Sequence, residues 1–333
     1  MSIKQKLSAE PLSDGEPVSR FSADTHITDA AFDITKTYLK FLEDDPEMTM
    51  PVAAIESLVV LLSKTDPSTA SELMDILAKS VLELKTNVTN SISLSAGCDM
   101  FQRFVLRNIQ DYGDWEACRK HLILNGGLFL ERAKASRFRI AELGLPFIQD
   151  DDTILIHSYS RAVTELLLLA ARRHIRFRVF VTESRPTSEG YSSAKILREN
   201  GIPVRVLVDS AVGWVIQKVD KVFVGAEGVA ESGGIINRIG TYQIAVLAKD
   251  SNKPLYVVVE SHKFVRLYPL SPFDLPNENS AANEFSTEQS EDDLNASALL
   301  DFTSDNLITA LITDIGVLTS SGVSEELIKM WYD

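Results

Sequence analysis

Five short runs between residues 153 and 260 restrict this chain to one broad kind of fold. They are TILIH (153–157), FRVFVTE (177–183), VRVLV (204–208), KVFVGAE (221–227) and LYVVVE (255–260). Each is rich in β-branched or aromatic residues and apolar on both faces, which suits a strand covered from above and below. Helical stretches separate them, and strands alternating with helices form a parallel sheet with right-handed crossovers. The expected class is therefore α/β with a doubly wound sheet, and ligands of such sheets sit beyond the carboxyl ends of the strands.

Ahead of Gly144 and Pro146 the period is helical, from about residue 25 to 145. Leu73, Leu77, Val81 and Leu84 recur at three- and four-residue steps, a stripe that must bury against another helix. Asp66 followed by Pro67 predicts the start of that helix, because the carboxylate accepts a first-turn amide and proline lacks only a donor that would be unpaired there. It should run to about Lys85. Pro51 opens a similar segment with Ile55, Leu58, Val59 and Leu62 inward. Asp114 is placed as the cap of a long later helix, inside which Gly126 and Gly127 imply a kink or a close helix contact. Residues 1–24 read as a flexible tail. No lysine or arginine occurs between Arg266 and Lys329, and 277–297 reads as an acidic, low-complexity loop inserted in the α/β domain. A short helix begun at Ser324, with Glu325 and Glu326 at its positive end, closes the chain.

Charge and cysteine usage exclude several classes of function. With 47 acidic against 33 basic residues the formal net charge is -14, which repels a polyanion, so neither DNA nor RNA is an expected partner. Cys98 and Cys118 match neither a disulfide framework nor paired zinc ligands and read as core thiols. The first twenty residues lack a secretory core and are too acidic for a transit peptide, and LLLLAA (166–171) is far too short to span a bilayer. The expected location is the cytosol, without a membrane contact.

Polar residues gather at the strand ends. TILIH runs into Ser158, Tyr159, Ser160 and Arg161, FRVFVTE into Ser184, Arg185 and Pro186, and KVFVGAE delivers Glu227 between glycines. Asn237 and Arg238, followed by Gly240 and Thr241 at a helix start, add donors suited to an anion such as phosphate. Ser158, Arg185, Glu227, Asn237, Arg238 and Thr241 are thus the candidate ligand-binding residues of a sugar-phosphate pocket. A carboxylate such as Glu227 in a cleft acts as acid or base once its pKa is tuned, whereas Arg185 has an ordinary alternative as the partner of a nearby acid. His157 is adjacent to Ser158 on a strand, so the two face opposite ways and form no nucleophile-base pair; it reads as a packed histidine. GAEGVAESGG lacks the lysine and the spacing of nucleotide loops, and the cluster Arg172, Arg173, His174, Arg176 and Arg178 ends a helix whose dipole favours cations. No metal site and no cofactor is expected beyond a sugar phosphate or phosphate ligand.

The run VGAEGVAESGGIINRIGTYQIAVLAK (224–249), with ILIHSYSRAV, VFVTESRPTSEG and NKPLYVVVESHKFVRLYPL, resembles the family that joins regulatory subunits of initiation factor 2B with sugar-phosphate isomerases. The likeness covers roughly residues 25–333 and implies a helical domain (25–145) before a Rossmann-like α/β domain (150–333). By the same resemblance, the isomerases' catalytic cysteine falls on Ser158 and their catalytic aspartate on Glu227. Both positions have changed, and a hydroxyl hardly ionises at neutral pH, whereas a thiol titrates near 8.5. The isomerases' glutamine falls on Glu189, which would repel phosphate. Their Asn-Lys pair survives as Asn237 and Arg238, and their Arg-Gly-Ala segment has no counterpart around MPVAAIES.

The resemblance implies a noncatalytic regulatory subunit of the guanine-nucleotide exchange factor that reloads initiation factor 2. As a homodimer it would join two halves of a decamer containing beta, gamma, delta and epsilon subunits. It would also sense phosphorylation of the alpha subunit of initiation factor 2. The alternative it leaves open is a sugar-phosphate aldose-ketose isomerase or a sugar-phosphate sensor.

Overall fold

The five apolar runs form one parallel block. In the computed structural model, which describes residues 32–45, 48–88, 91–110, 115–275 and 299–332, they become β1 (Thr153–His157), β2 (Arg178–Thr182), β3 (Val204–Leu207), β4 (Lys221–Val224) and, after the short β5 (Gly228–Val229) and β6 (Ile235–Arg238), β7 (Leu255–Val258). β8 (Leu300–Thr303), β9 (Ala310–Thr313) and β10 (Gly316–Leu318) complete the set. The main sheet has the order β10-β9-β7-β4-β1-β2-β3, parallel except for the β9–β10 hairpin. The chain builds outward from β1 to β3, then returns to place β4 on the other side of β1. The strand order reverses between β1 and β4, which is where a doubly wound sheet opens its crevice.

Alternation along each strand divides the core in two. Ile154 and Ile156 of β1 and Phe223 of β4 face a cluster with Ile140, Val163, Leu166, Leu167 and Leu197, whereas Leu155, Val222 and Val224 face one with Val215, Ile244, Ala248 and Leu327. The first cluster belongs to α5 (Trp115–Gly144), α6 (Arg161–Arg172) and α7 (Gly190–Glu199). The second belongs to α8 (Val212–Val215), α9 (Thr241–Asp250) and α10 (Ser320–Tyr332). Helices therefore cover both faces, as the two-sided apolar strands require.

The preceding helices are α1 (Ile34–Asp44), α2 (Met50–Lys64), α3 (Ala70–Asn87) and α4 (Ser91–Gln110). Leu73, Leu77, Val81 and Leu84 of α3 are buried, as are Ile55, Leu58, Val59 and Leu62 of α2. From Asp33 onward the chain forms one compact unit. A three-stranded antiparallel sheet, β5-β6-β8, packs Ile236 and Phe302 against Ile92 and Ala96 of α4, and so brings α4 over β6.

Two boundaries differ from expectation. α3 begins at Ala70 rather than Asp66, because the Thr69 hydroxyl accepts the Glu72 amide (3.2 Å) while the Glu72 carboxylate accepts the Ser68 amide (2.8 Å), a reciprocal cap; Asp66 instead pairs with Arg119 (2.8 Å). α10 starts at Ser320, where the Thr319 hydroxyl accepts the Gly322 amide (3.2 Å), and Ser324 lies within the helix, donating to the Glu231 carbonyl (2.6 Å). Gly126 marks a close helix contact, since a Cβ there would lie 2.7 Å from Val59 Cγ2, whereas Gly127 faces open space. The tail (1–24), the acidic loop (277–297) and Asp114 lie outside the described residues. Among the described residues no helix is long and apolar enough to cross a membrane.

Candidate functional site

A cleft of about 230 Å3 opens at the carboxyl ends of β1, β4, β6 and β7. Ser160 and Arg161 enter it after β1, Gly225 to Glu227 after β4, Asn237 and Arg238 from β6, and Glu260 and Lys263 after β7. Thr49, Met50 and Pro51 at the start of α2, and Ser93 of α4, close it from the helical side. The segment around MPVAAIES thus supplies wall to the cleft without supplying an arginine.

Its charged groups are paired with one another. The Glu189 carboxylate accepts from Arg238 twice, from Nε (3.1 Å) and Nη2 (2.9 Å), and from the Ser158 hydroxyl (2.9 Å). This bidentate fork is the strong form of an ion pair. Ser158 is buried, with φ of 60° in the left-handed region, and the strained turn aims its hydroxyl at Glu189. Glu227 accepts from the Ser93 hydroxyl at 2.6 Å. Burial alone would raise the Glu227 carboxyl, but Lys263, Arg238 and Ser93 outweigh it and hold it below the usual range. Glu260 is buried against Lys263 (3.2 Å) and Arg137 (3.4 Å); burial is again outweighed, chiefly by Lys263, and its carboxyl falls to about 2.

Other candidates lie beside the cleft rather than in it. Arg185 is exposed and pairs with Glu183 at 3.4 Å, its ordinary alternative. Thr241 is fully buried, takes the Asn237 amide at 3.0 Å and donates to the Arg238 carbonyl at 2.6 Å, so it positions both neighbours. The amides at the start of α9 were expected to serve an outside anion. Instead Asp301 Oδ2 accepts from Gly240 (2.7 Å) and Tyr242 (3.0 Å), so an internal carboxylate from β8 already fills that role. His157 contacts the Ile239 carbonyl through Nε2 (2.9 Å) and the Thr182 hydroxyl through Nδ1 (2.6 Å). A carbonyl only accepts, so Nε2 carries the proton, and burial keeps the ring neutral by lowering its pKa. The arginine cluster is structural in its contacts, with Arg172 on Glu165 (2.5 Å), Arg176 near Asp150 (3.8 Å) and Arg178 on the Thr153 hydroxyl (2.9 Å).

Residues 43–320 match the Initiation factor 2 subunit family. The chain belongs to that family. It is 40% identical over 309 residues to the "Translation initiation factor eIF2B subunit alpha" of Dictyostelium discoideum, covering 90% of this chain and 96% of that one. It is 32% identical over 211 residues to a "Ribose 1,5-bisphosphate isomerase" of Archaeoglobus fulgidus, covering 63% and 64%. A chain of the tetrameric eIF2B-beta2-delta2 complex from C. thermophilum shares the fold, with a TM-score of 0.72 at 17% identity over 90% of this chain and 96% of that one. The family match and the eIF2B alpha relatives support a translation initiation factor subunit.

Within this family member, sequence reasoning missed Ser93, Glu260, Lys263 and Asp301. Glu260 ends the run LYVVVE, so the strand-end rule that selected Glu227 applied to it equally, whereas Ser93 and Asp301 arrive by tertiary packing alone. Asp301 leads to a pH prediction. Burial outweighs its amide bonds and pushes its carboxyl up to about 7, against 3.8 for an ordinary aspartate. A raised folded pKa means stability that is full below about 3.8 and lost as pH rises through 7, each pH unit being worth about 1.4 kcal/mol. Asp301→Asn cannot ionise, so its stability relative to wild type should improve by about 2 kcal/mol between pH 5 and pH 7.5 in urea unfolding. A difference that stays constant with pH would refute the assignment.

Proposed function

We propose that this chain is a noncatalytic regulatory subunit of the guanine-nucleotide exchange factor for initiation factor 2. In this reading it is a cytosolic homodimer that joins two halves of the complex through the other exchange-factor subunits. It makes exchange sensitive to the phosphorylated alpha subunit of initiation factor 2, and its cleft holds a ligand without turning it over. The observation that carries the reading is the lock of Glu189 on Arg238, both lining the strand-end cleft, with the buried Ser158 donating to Glu189 from behind it. The Ser158 hydroxyl donates to the Glu189 carboxylate, whose oxygens are held in a fork on Arg238, and no imidazole serves it, because both nitrogens of His157 face other partners. Glu227 is held toward its ionised form by Lys263, Arg238 and the Ser93 hydroxyl, which suits an anion more than a proton donor. Identity of 40% to an eIF2B alpha subunit supports the same reading.

GDP release from initiation factor 2 by the other four subunits, with and without this protein, tests it. Addition is expected to raise exchange on the unphosphorylated factor and to make it inhibitable by the phosphorylated one. No change in either measurement refutes the regulatory role. Turnover of ribose 1,5-bisphosphate followed by NMR refutes the noncatalytic part.

A further inference from the structure

We propose that Ser271 is the acceptor for a proline-directed serine/threonine protein kinase, and that a phosphate placed there breaks the turn that Asp274 now holds closed. The proposal goes beyond the regulatory reading and does not rest on the cleft.

Of the twelve prolines in the chain, Pro272 alone follows a serine or threonine. Proline has no amide hydrogen, so a kinase pocket that offers no acceptor at that position takes proline and penalises other residues, whose N–H would be left unpaired. The dipeptide also lies where such an enzyme can reach it. It stands in a loop after β7 that is pinned at both ends. The Leu267 carbonyl accepts the Glu231 amide (2.9 Å), and Leu275 is buried with Ile92 of α4 and Phe302 of β8. Between the pins the loop turns outward, leaving Leu270 83% and Phe273 73% exposed on either side of the dipeptide.

The turn itself is held by local polar contacts. Ser271 is half-buried, and its hydroxyl oxygen accepts the Phe273 amide at 3.3 Å, which leaves the hydroxyl proton out of that contact. One oxygen of the exposed Asp274 carboxylate accepts two amides, from Leu270 (2.9 Å) and Ser271 (2.8 Å). Opening a turn built this way uncovers little core, so a kinase can draw the segment out while Leu267 and Leu275 stay in place.

In the transfer, the Ser271 oxygen bonds to the γ-phosphorus of ATP as the bond from that phosphorus to the β–γ bridging oxygen breaks. ADP leaves with that oxygen, and the hydroxyl proton passes to the catalytic carboxylate of the kinase. The product carries about -1.5 to -2 charges on the residue whose own amide Asp274 holds. Two anions then meet at one turn, and their repulsion releases Asp274 from the Leu270 and Ser271 amides.

The test treats the full-length protein with ATP and a purified proline-directed kinase, beside a control Ser-Pro peptide. Mass spectrometry is expected to place one phosphate on Ser271. Ser271→Ala should lower incorporation at least about tenfold, and so should Pro272→Ala, which keeps the hydroxyl and removes only what the kinase reads. Hydrogen exchange over the Leu270 and Ser271 amides should quicken at least about threefold on phosphorylation, and Asp274→Ala should reproduce the change without phosphate. No phosphate on Ser271 while the control peptide is modified, or full incorporation in Pro272→Ala, overturns the acceptor assignment. Exchange that the phosphate leaves unchanged overturns its effect on the turn. If a variant does not fold, the site mapped on the wild type and its exchange decide. None of these readouts uses nucleotide exchange, so failure here is separable from failure of the regulatory role.

Discussion

Gly190→Ala is expected to lower the unfolding free energy by more than about 3 kcal/mol, at the upper end of what overpacking costs. The Cβ would overlap the Thr182 carbonyl oxygen and lie 2.9 Å from the Thr182 carbonyl carbon and 3.0 Å from Glu183 Cα. All three are backbone atoms, so no side chain can rotate away. Nor can the backbone slide easily. The Gly190 amide donates to the Glu183 carbonyl (3.1 Å), the Glu183 amide donates to Leu207 of β3 (2.8 Å), and Ser193 one turn on donates to the Ser158 carbonyl (2.7 Å). Relief of the overlap must break part of this staple or shift α7. Because Glu189 precedes the glycine, the same shift would loosen its fork on Arg238. Denaturant unfolding measures the loss, and a cost below about 1 kcal/mol would mean that α7 moves freely and that the close approach is not what holds Glu189 in place.

How much of this was legible beforehand follows from where each constraint originates. β1 matches TILIH residue for residue, because a strand buried on both faces writes its whole length as apolar sequence. The α3 stripe was equally plain, since four leucine and valine positions at helical spacing have only one way to be buried together. The start of α3 was not. Asp66–Pro67 and Thr69–Glu72 are both valid start signals, and the second prevails because its cap is reciprocal while Asp66 is drawn to Arg119, 53 residues away.

Residue types in the cleft could be read from the strand-end rule, but their pairing could not. Glu189 was expected to repel phosphate, yet nothing in PTSEG indicates that its two oxygens would instead meet Arg238, 49 positions later. The start of α9 is a sharper case. The pattern Asn-Arg-Ile-Gly-Thr correctly marks amides that need an anion. Which anion arrives depends on the pairing of β8 with β6, which sets Asp301 opposite Asn237 across more than sixty intervening residues. Local sequence specifies the demand, and long-range register decides what satisfies it.

The same logic makes Lys263 the most consequential side chain beneath the cleft. Its ammonium lies against Glu260, which is almost fully buried, and contributes to holding Glu227 ionised. Lys263→Met keeps the aliphatic stem and leaves two carboxylates with Arg137 and Arg238 as their remaining cations. Loss of one partner of a buried pair costs about 3–5 kcal/mol, and that is the expected destabilisation at pH 7. The pH dependence separates charge from packing. Glu260 has a folded pKa of about 2 against 4.5 for an ordinary glutamate, so its contribution is full above about 4.5 and lost as pH falls toward 2. In the variant the depression disappears, and the stability gap between the two proteins should close as pH drops below about 4. A second change, Glu260→Gln in the Lys263→Met background, should recover part of the loss at pH 7, because it removes the charge left without its partner. A gap undiminished at pH 3, or a double variant no more stable than Lys263→Met, would assign Lys263 to packing and leave the low pKa of Glu260 to Arg137 and the surrounding backbone.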